Sequence, residues 1–299
     1  MLAIMPLIAA PGLAPAMQAA QMAAADLVET LPGWDKPLPS KMYSGYINVT
    51  ASADREMLVH YIYIESEGDP QTDPTILWTN GGPGASSMFG LFVELGPFLA
   101  NEHSLTTKAF NQTGVPSLFY NEYSWSKLGS VLMFDWPPPV GFSYCSGDFA
   151  GNGTSCGSWD DSRMARVSYA ALAGWFDKFS ERRANPLYLT GESYAGIYVP
   201  KLAEQILLHA DPNVLPQFKG FAVGDGCLGT ETGVCGGAPG PWWDLLLHGH
   251  GLTRTLTPTP TPTLGLGGTS SSSTATGRSR LCSGIGSWRS VAATRCVAR

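Results

Sequence analysis

Charge is scarce in this 299-residue sequence: Lys, Arg, Asp and Glu together make up 14% of it, against roughly 25% in a typical soluble domain. The net charge is -6, so there is no basic excess of the kind a nucleic-acid binder needs. No apolar run of roughly 18 residues is free of turn formers, so stable membrane insertion is not expected. Sustained heptads are missing too, which removes a coiled coil. No two cysteines stand two residues apart and none has a neighbouring His, so no metal site is expected.

Two further absences divide the chain. Beyond Gly251 there is no Asp, Glu or Lys; all 24 acidic side chains fall in the first 250 residues. The Thr-Pro alternation of residues 257–263 and the serine run 270–273 follow, with Trp288 the only aromatic there. Such composition cannot offset the cost of ordering the chain, so residues 252–299 are expected to form a disordered, compositionally foreign tail. At the other end, residues 1–25 carry no charge at all. They begin with Leu2, Ile4, Leu7 and Ile8 and offer small-residue steps, the pattern of a secretory signal peptide; an Ala-rich leader is the alternative. Pro6, Pro11 and Pro15 argue against a helix that stays in a membrane. Residues 26–251 form the expected domain.

Export has other support. Asn48-Val-Thr50, Asn111-Gln-Thr113 and Asn152-Gly-Thr154 are glycosylation acceptors. Four of the six cysteines form close pairs in Gly-rich surroundings, Cys145 with Cys156 and Cys227 with Cys235, where bridging is easy. An oxidising compartment follows.

What remains alternates between strand and helix. Met57 to Ile64, Thr75 to Thr79, Val131 to Phe134, Leu187 to Thr190 and Phe221 to Val223 read as strands. Met164, Val167, Ala171, Trp175 and Phe179 recur at helical spacing, as do Val199, Leu202, Ile206 and Ala210. The order points to an α/β fold with a mostly parallel central sheet.

The chemistry centres on Gly191-Glu-Ser-Tyr-Ala-Gly196, where a strand gives way to a helix. A nucleophile elbow holds its serine in a strained turn, so the residues two before and two after must be small; Gly191 and Ala195 satisfy this around Ser193. An oxyanion hole needs two N–H groups aimed at one point, one from the residue after the nucleophile and one from a Gly-rich loop. Tyr194 and Gly82 are the candidates. A phosphate loop is the rival for residues 80–87, but no Gly-Lys-Ser/Thr follows.

These strings resemble a known family. Trp78-Thr-Asn-Gly-Gly-Pro-Gly-Ala-Ser-Ser87, Glu94-Leu-Gly-Pro-Phe98, Tyr123-Ser-Trp-Ser-Lys127, Gly141-Phe-Ser-Tyr144 and Gly191 to Gly196 with Tyr198-Val-Pro-Lys-Leu202 are similar, in the same order, to motifs of the serine carboxypeptidases. The resemblance implies an α/β-hydrolase fold, no cofactor, and release of residues from peptide C-termini through an acyl-enzyme on Ser193. It implies that Gly82 and Tyr194 form the oxyanion hole. It further implies that Asn80, the Gly81 amide, Glu94 and Glu192 bind the substrate's terminal carboxylate, which requires a proton shared between carboxyls and so favours acidic pH. A lysosome- or vacuole-like compartment, or secretion, follows. Ala85 departs from many members, which have Cys there.

A triad on this fold needs an acid and then a His after Ser193. His209, His248 and His250 follow it, but the family places its pair much later in a longer chain. Asp244, His248 and His250 are therefore not assigned, and the C-terminal part of the fold reads as missing or replaced. Two alternatives stay open: an acyltransferase of the same fold, and a non-catalytic truncated relative.

Overall fold

The computed structural model describes residues 21–50, 56–146, 156–214 and 217–227. The expected tail, the glycosylation acceptor Asn152, and Cys235, Asp244, His248 and His250 lie outside these residues. The described residues all belong to one compact unit.

Ten strands occur among the described residues: β1 Leu27–Val28, β2 Met42–Asn48, β3 Met57–Ile64, β4 Thr75–Thr79, β5 Phe98–Leu99, β6 Phe119–Tyr120, β7 Ser130–Phe134, β8 Tyr144–Cys145, β9 Leu187–Glu192 and β10 Phe218–Gly224. The main sheet runs β1-β2-β3-β7-β4-β9-β10, with β8 paired to β3; β5 and β6 form a separate ribbon. From β7 to β10 the strands are parallel, while β1, β2 and β3 extend the sheet antiparallel. Every residue of β4 and β7 is buried. Strands covered on both faces read as unbroken apolar runs, which is why these two were visible in the sequence. β2 was not expected; it alternates buried and open positions around Ser44 and Gly45 and so lacks such a run.

Helices α1 Lys108–Thr113, α2 Asp161–Lys178 and α3 Ala195–His209 accompany the sheet. Asp160 caps α2, its side chain accepting from the Arg163 N–H at 2.7 Å. Met164, Ala171, Trp175 and Phe179 of the expected stripe are buried. The α3 stripe holds at Val199, Leu202 and Ile206, but Ala210 is exposed and stands at φ 49 as the helix's left-handed cap. It terminates the helix instead of packing.

One core cluster joins β3 and β7 to α2 and α3, with Tyr63, Leu132, Trp175, Phe176 and Ile206 at its centre. A second, around Trp78, Leu91, Phe98 and Met133, fills the opposite face. Residues 21–25 form a helical turn, and Ala23 is buried in the first cluster. Asp26 follows it and pairs with Lys178 at 2.6 Å, under a Tyr61 hydroxyl that donates to the same oxygen at 2.6 Å. The Cys145–Cys156 disulfide is formed. Cys227 is also disulfide-bonded; its expected partner Cys235 is outside the described residues.

Candidate active site

The site lies at the carboxyl ends of β4 and β9, the usual location for function in open parallel sheets. β9 ends in Gly191-Glu192 and α3 begins at Ala195, leaving Ser193 and the N-cap Tyr194 in the turn. Its φ is +57, a left-handed conformation that side chains other than glycine rarely adopt. Ser193 is held there from both sides: its N–H donates to Gly224 O at 3.0 Å, and its carbonyl accepts from Cys227 N at 2.7 Å. The side chain is exposed. The small neighbours have a measurable reason. A Cβ on Gly191 would lie 2.5 Å from Thr79 O and 2.6 Å from the Ala195 Cβ, and one on Gly196 would lie 2.2 Å from Cys227 O.

The loop after β4 runs against this turn. A Cβ on Gly81 would fall 2.4 Å from Tyr194 N and 2.9 Å from the Ser193 Cβ, so two backbones touch with no room for a side chain. Gly82 has φ +109, again a glycine conformation. Among the described residues no acceptor engages the Gly81 or Gly82 N–H. The Gly82 and Tyr194 amides therefore belong to adjoining segments beside the exposed serine.

Asn80 organises the other half. Its Oδ1 accepts from Trp78 Nε1 at 3.0 Å and from Gly90 N at 3.1 Å. With both acceptor positions used, the amide can point its Nδ2 only one way. That nitrogen donates to Glu94 Oε2 at 3.1 Å and to Glu192 Oε1 at 2.9 Å. Gly90 permits the approach, since a Cβ there would meet Trp78 Nε1 at 2.4 Å. Neither Trp78 nor Gly90 was singled out in the sequence as a supporting residue.

Burial is the main cause that holds the Glu94 carboxyl above its ordinary value of 4.5; the Asn80 hydrogen bond opposes it and the charge of Glu192 adds to it. A carboxyl raised in the folded state protonates more readily there than in the unfolded chain. Its contribution to stability is thus fully present below the ordinary glutamate value and is lost as pH rises through the folded one. Glu94→Gln, neutral at every pH, is expected to gain thermal stability relative to the parent chain at pH 7 but not at pH 4. Equal differences at the two pH values in paired melts would contradict this.

No described histidine contacts Ser193. His60 is bound to Asp135, His103 lies beside Glu102, and the exposed His209 stacks on Tyr169 with centroids 4.1 Å apart. Among the described residues no cluster could hold a metal ion, and no helix is long and apolar enough to cross a membrane.

An exposed serine in a strand-to-helix elbow, a glycine loop packed on that elbow and a parallel sheet beneath both define an α/β-hydrolase. The profile described as "Serine carboxypeptidase" matches residues 32–255, and the chain belongs to that family. It is 41% identical to serine carboxypeptidase-like 20 of Arabidopsis thaliana over 202 residues, 67% of this chain and 38% of that protein. It is 38% identical to the lysosomal protective protein of Mus musculus over 206 residues, 69% of this chain and 38% of that protein. Among solved structures it resembles a prohormone-processing carboxypeptidase of Saccharomyces cerevisiae, with a TM-score of 0.58 and 28% identity over 68% of this chain and 44% of that one. The chain thus spans about 38% of the length of the curated relatives it matches.

Proposed function

We propose that this chain carries the nucleophile and carboxylate-binding half of a serine carboxypeptidase, which releases C-terminal residues from peptides through an acyl-enzyme on Ser193. The observation that carries the reading is the Asn80 amide spanning Glu94 and Glu192 beside the elbow. Paired carboxyls repel an incoming carboxylate unless a proton is shared among them. With one of them protonated, that carboxyl becomes a hydrogen-bond donor which, with the Gly81 N–H, receives a peptide's free terminus, while Asn80 holds the two glutamates together, and the scissile carbonyl is set over Ser193. The Ser193 Oγ then attacks that carbonyl, and the developing oxyanion is stabilised by the Gly82 and Tyr194 amides. An acyltransferase has no terminal carboxylate to bind, so it leaves the two glutamates unexplained.

The attack also needs a base. Losing the triad His costs about 10⁶ in kcat in a well-studied serine protease, and no described histidine touches Ser193. That observation favours a second reading, a non-catalytic relative that keeps the binding half. A blocked dipeptide with a free C-terminus is expected to compete better than its amide, most strongly at acidic pH. Equal competition would defeat the carboxypeptidase reading. Labelling of Ser193 by a fluorophosphonate separates the active from the non-catalytic form.

Passage through the secretory pathway belongs to the same proposal. Asn48 and Asn111 are exposed and available for glycosylation, and the disulfides fit an oxidising compartment. The leader expected over residues 1–25 is shortened in this reading to end before Ala23, because Ala23 packs in the core and Asp26 is ion-paired.

A further inference from the structure

A second chain of hydrogen bonds lies behind the glycine loop, and the reaction as described above makes no use of it. Asp135 is fully buried at the end of β7, and its carboxylate accepts from three donors. His60 Nδ1 reaches its Oδ2 at 3.0 Å, the Phe142 N–H reaches the same oxygen at 3.1 Å, and Ser86 Oγ reaches Oδ1 at 2.5 Å. Beyond His60, its Nε2 meets Ser44 Oγ at 2.9 Å. Because an ionised carboxylate only accepts, Nδ1 carries the imidazole proton, and in the neutral ring Nε2 accepts from the Ser44 hydroxyl.

Ser44, His60 and Asp135 are thus linked in the order of a hydrolytic triad, but their surroundings exclude that role. Ser44 lies within β2, and its own N–H donates to Asp26 O at 2.9 Å. Its backbone is spent on the sheet, so it has no strained turn and no N–H to offer an oxyanion. The chain must act in the other direction, at Ser86.

Ser86 belongs to the loop that presents Gly82, which is tied internally by the Ala85 N–H donating to Gly81 O at 3.1 Å. The Ser86 hydroxyl also accepts from Met88 N at 3.2 Å. Around the carboxylate the turn after β7 closes tightly: a Cβ on Gly141, at φ +56, would lie 2.3 Å from Asp135. Removing one donor leaves the others to hold a buried charge, and the carboxylate must then move or draw in water.

We propose that Asp135 and His60 are positioning residues for the oxyanion loop: Asp135 fixes the loop at Ser86, and His60, seated by Ser44, fixes Asp135. The inference rests on reading Gly82 and Tyr194 as the oxyanion donors. An oxyanion hole displaced by about 1 Å can lose on the order of 100-fold in rate.

The test uses the full chain and two readouts. In amide proton–nitrogen spectra, Ser86→Ala, which removes only the loop's tie, is expected to shift the Gly82 and Tyr194 resonances. His60→Leu should shift the same resonances, and His60→Asn, whose amide can donate where Nδ1 does, should return them. Fluorophosphonate labelling of Ser193 should slow about 10- to 100-fold in Ser86→Ala and His60→Leu and recover in His60→Asn. If Ser86→Ala leaves both amides in place and His60→Leu lowers only the melting temperature, the pair is merely structural and the proposal falls. If the parent chain resists the probe, the catalytic reading of this chain fails, and the amide shifts alone decide the positioning.

Discussion

Gly81→Ala is expected to slow fluorophosphonate labelling of Ser193 by about 100-fold or more. The added Cβ would stand 2.4 Å from Tyr194 N and 2.9 Å from Glu192 O. Both are backbone atoms and cannot rotate aside, so the loop must retreat from the elbow or the elbow must open. Either movement separates the Gly82 and Tyr194 amides, and an N–H that no longer meets the developing charge costs about as much as a deleted one. Overpacking should also lower stability by ~1–3 kcal/mol, which urea unfolding reads even where labelling is slow in the parent chain. Gly224→Ala is the control: it lies at the other side of Ser193, and a Cβ there meets nothing within 4 Å. Parent-like labelling and stability in Gly81→Ala would show that the loop and elbow are not in the described contact.

Asp26→Asn is expected to cost ~3–5 kcal/mol in urea unfolding, the scale of breaking one side of a buried ion pair. Lys178 is 9% exposed and Asp26 20%, so the ammonium left behind is the more poorly solvated partner. It would keep the Tyr46 carbonyl at 3.2 Å, the face of the Tyr61 ring at 5.2 Å and at most a neutral amide oxygen, with no negative charge beside it. Tyr61 would not supply the missing charge, because burial, the main cause, holds its hydroxyl far above the ordinary tyrosine range and so neutral. Lys178→Met should cost less, since the carboxylate retains the Tyr61 hydroxyl and some water. The double variant should recover part of the Asp26→Asn loss, because replacing a whole buried pair with apolar groups is often near neutral. A loss under ~1 kcal/mol for Asp26→Asn would mean that water reaches Lys178.

The elements and the elbow were legible in the sequence for the same reason: their signals are local. β3 and β4 could be bounded to the residue because buried strands interrupt polar text with unbroken apolar runs. The elbow could be found because a strained serine demands Gly191 and Ala195 within two residues. Ala210 misled because periodicity continues past the point where a left-handed cap ends a helix. The Asn80 bridge was reached through the resemblance to serine carboxypeptidases, not through spacing, since Glu94 alone reads as a solvated surface residue. The Asp135 network was not found. Its members come from β2, β3, the glycine loop and the end of β7, and no window of sequence holds them together. Its one local trace is a titratable His60 within an apolar strand, a residue that needs a partner wherever it is buried.

Asn80 and Glu192 are separated by 112 residues, and β9 must pair with β4 before they meet. During synthesis at about 5–20 residues per second, that interval corresponds to roughly 6–22 s in which the first half of the pocket exists without the second. Pairings this distant in sequence also form slowly once the chain is complete. The antiparallel β2–β3 hairpin is available much earlier, whereas the serine and its glycine loop come together only after the long crossover closes. A nascent chain released before β9 emerges therefore carries an exposed parallel edge at β4 and lacks both Ser193 and Glu192.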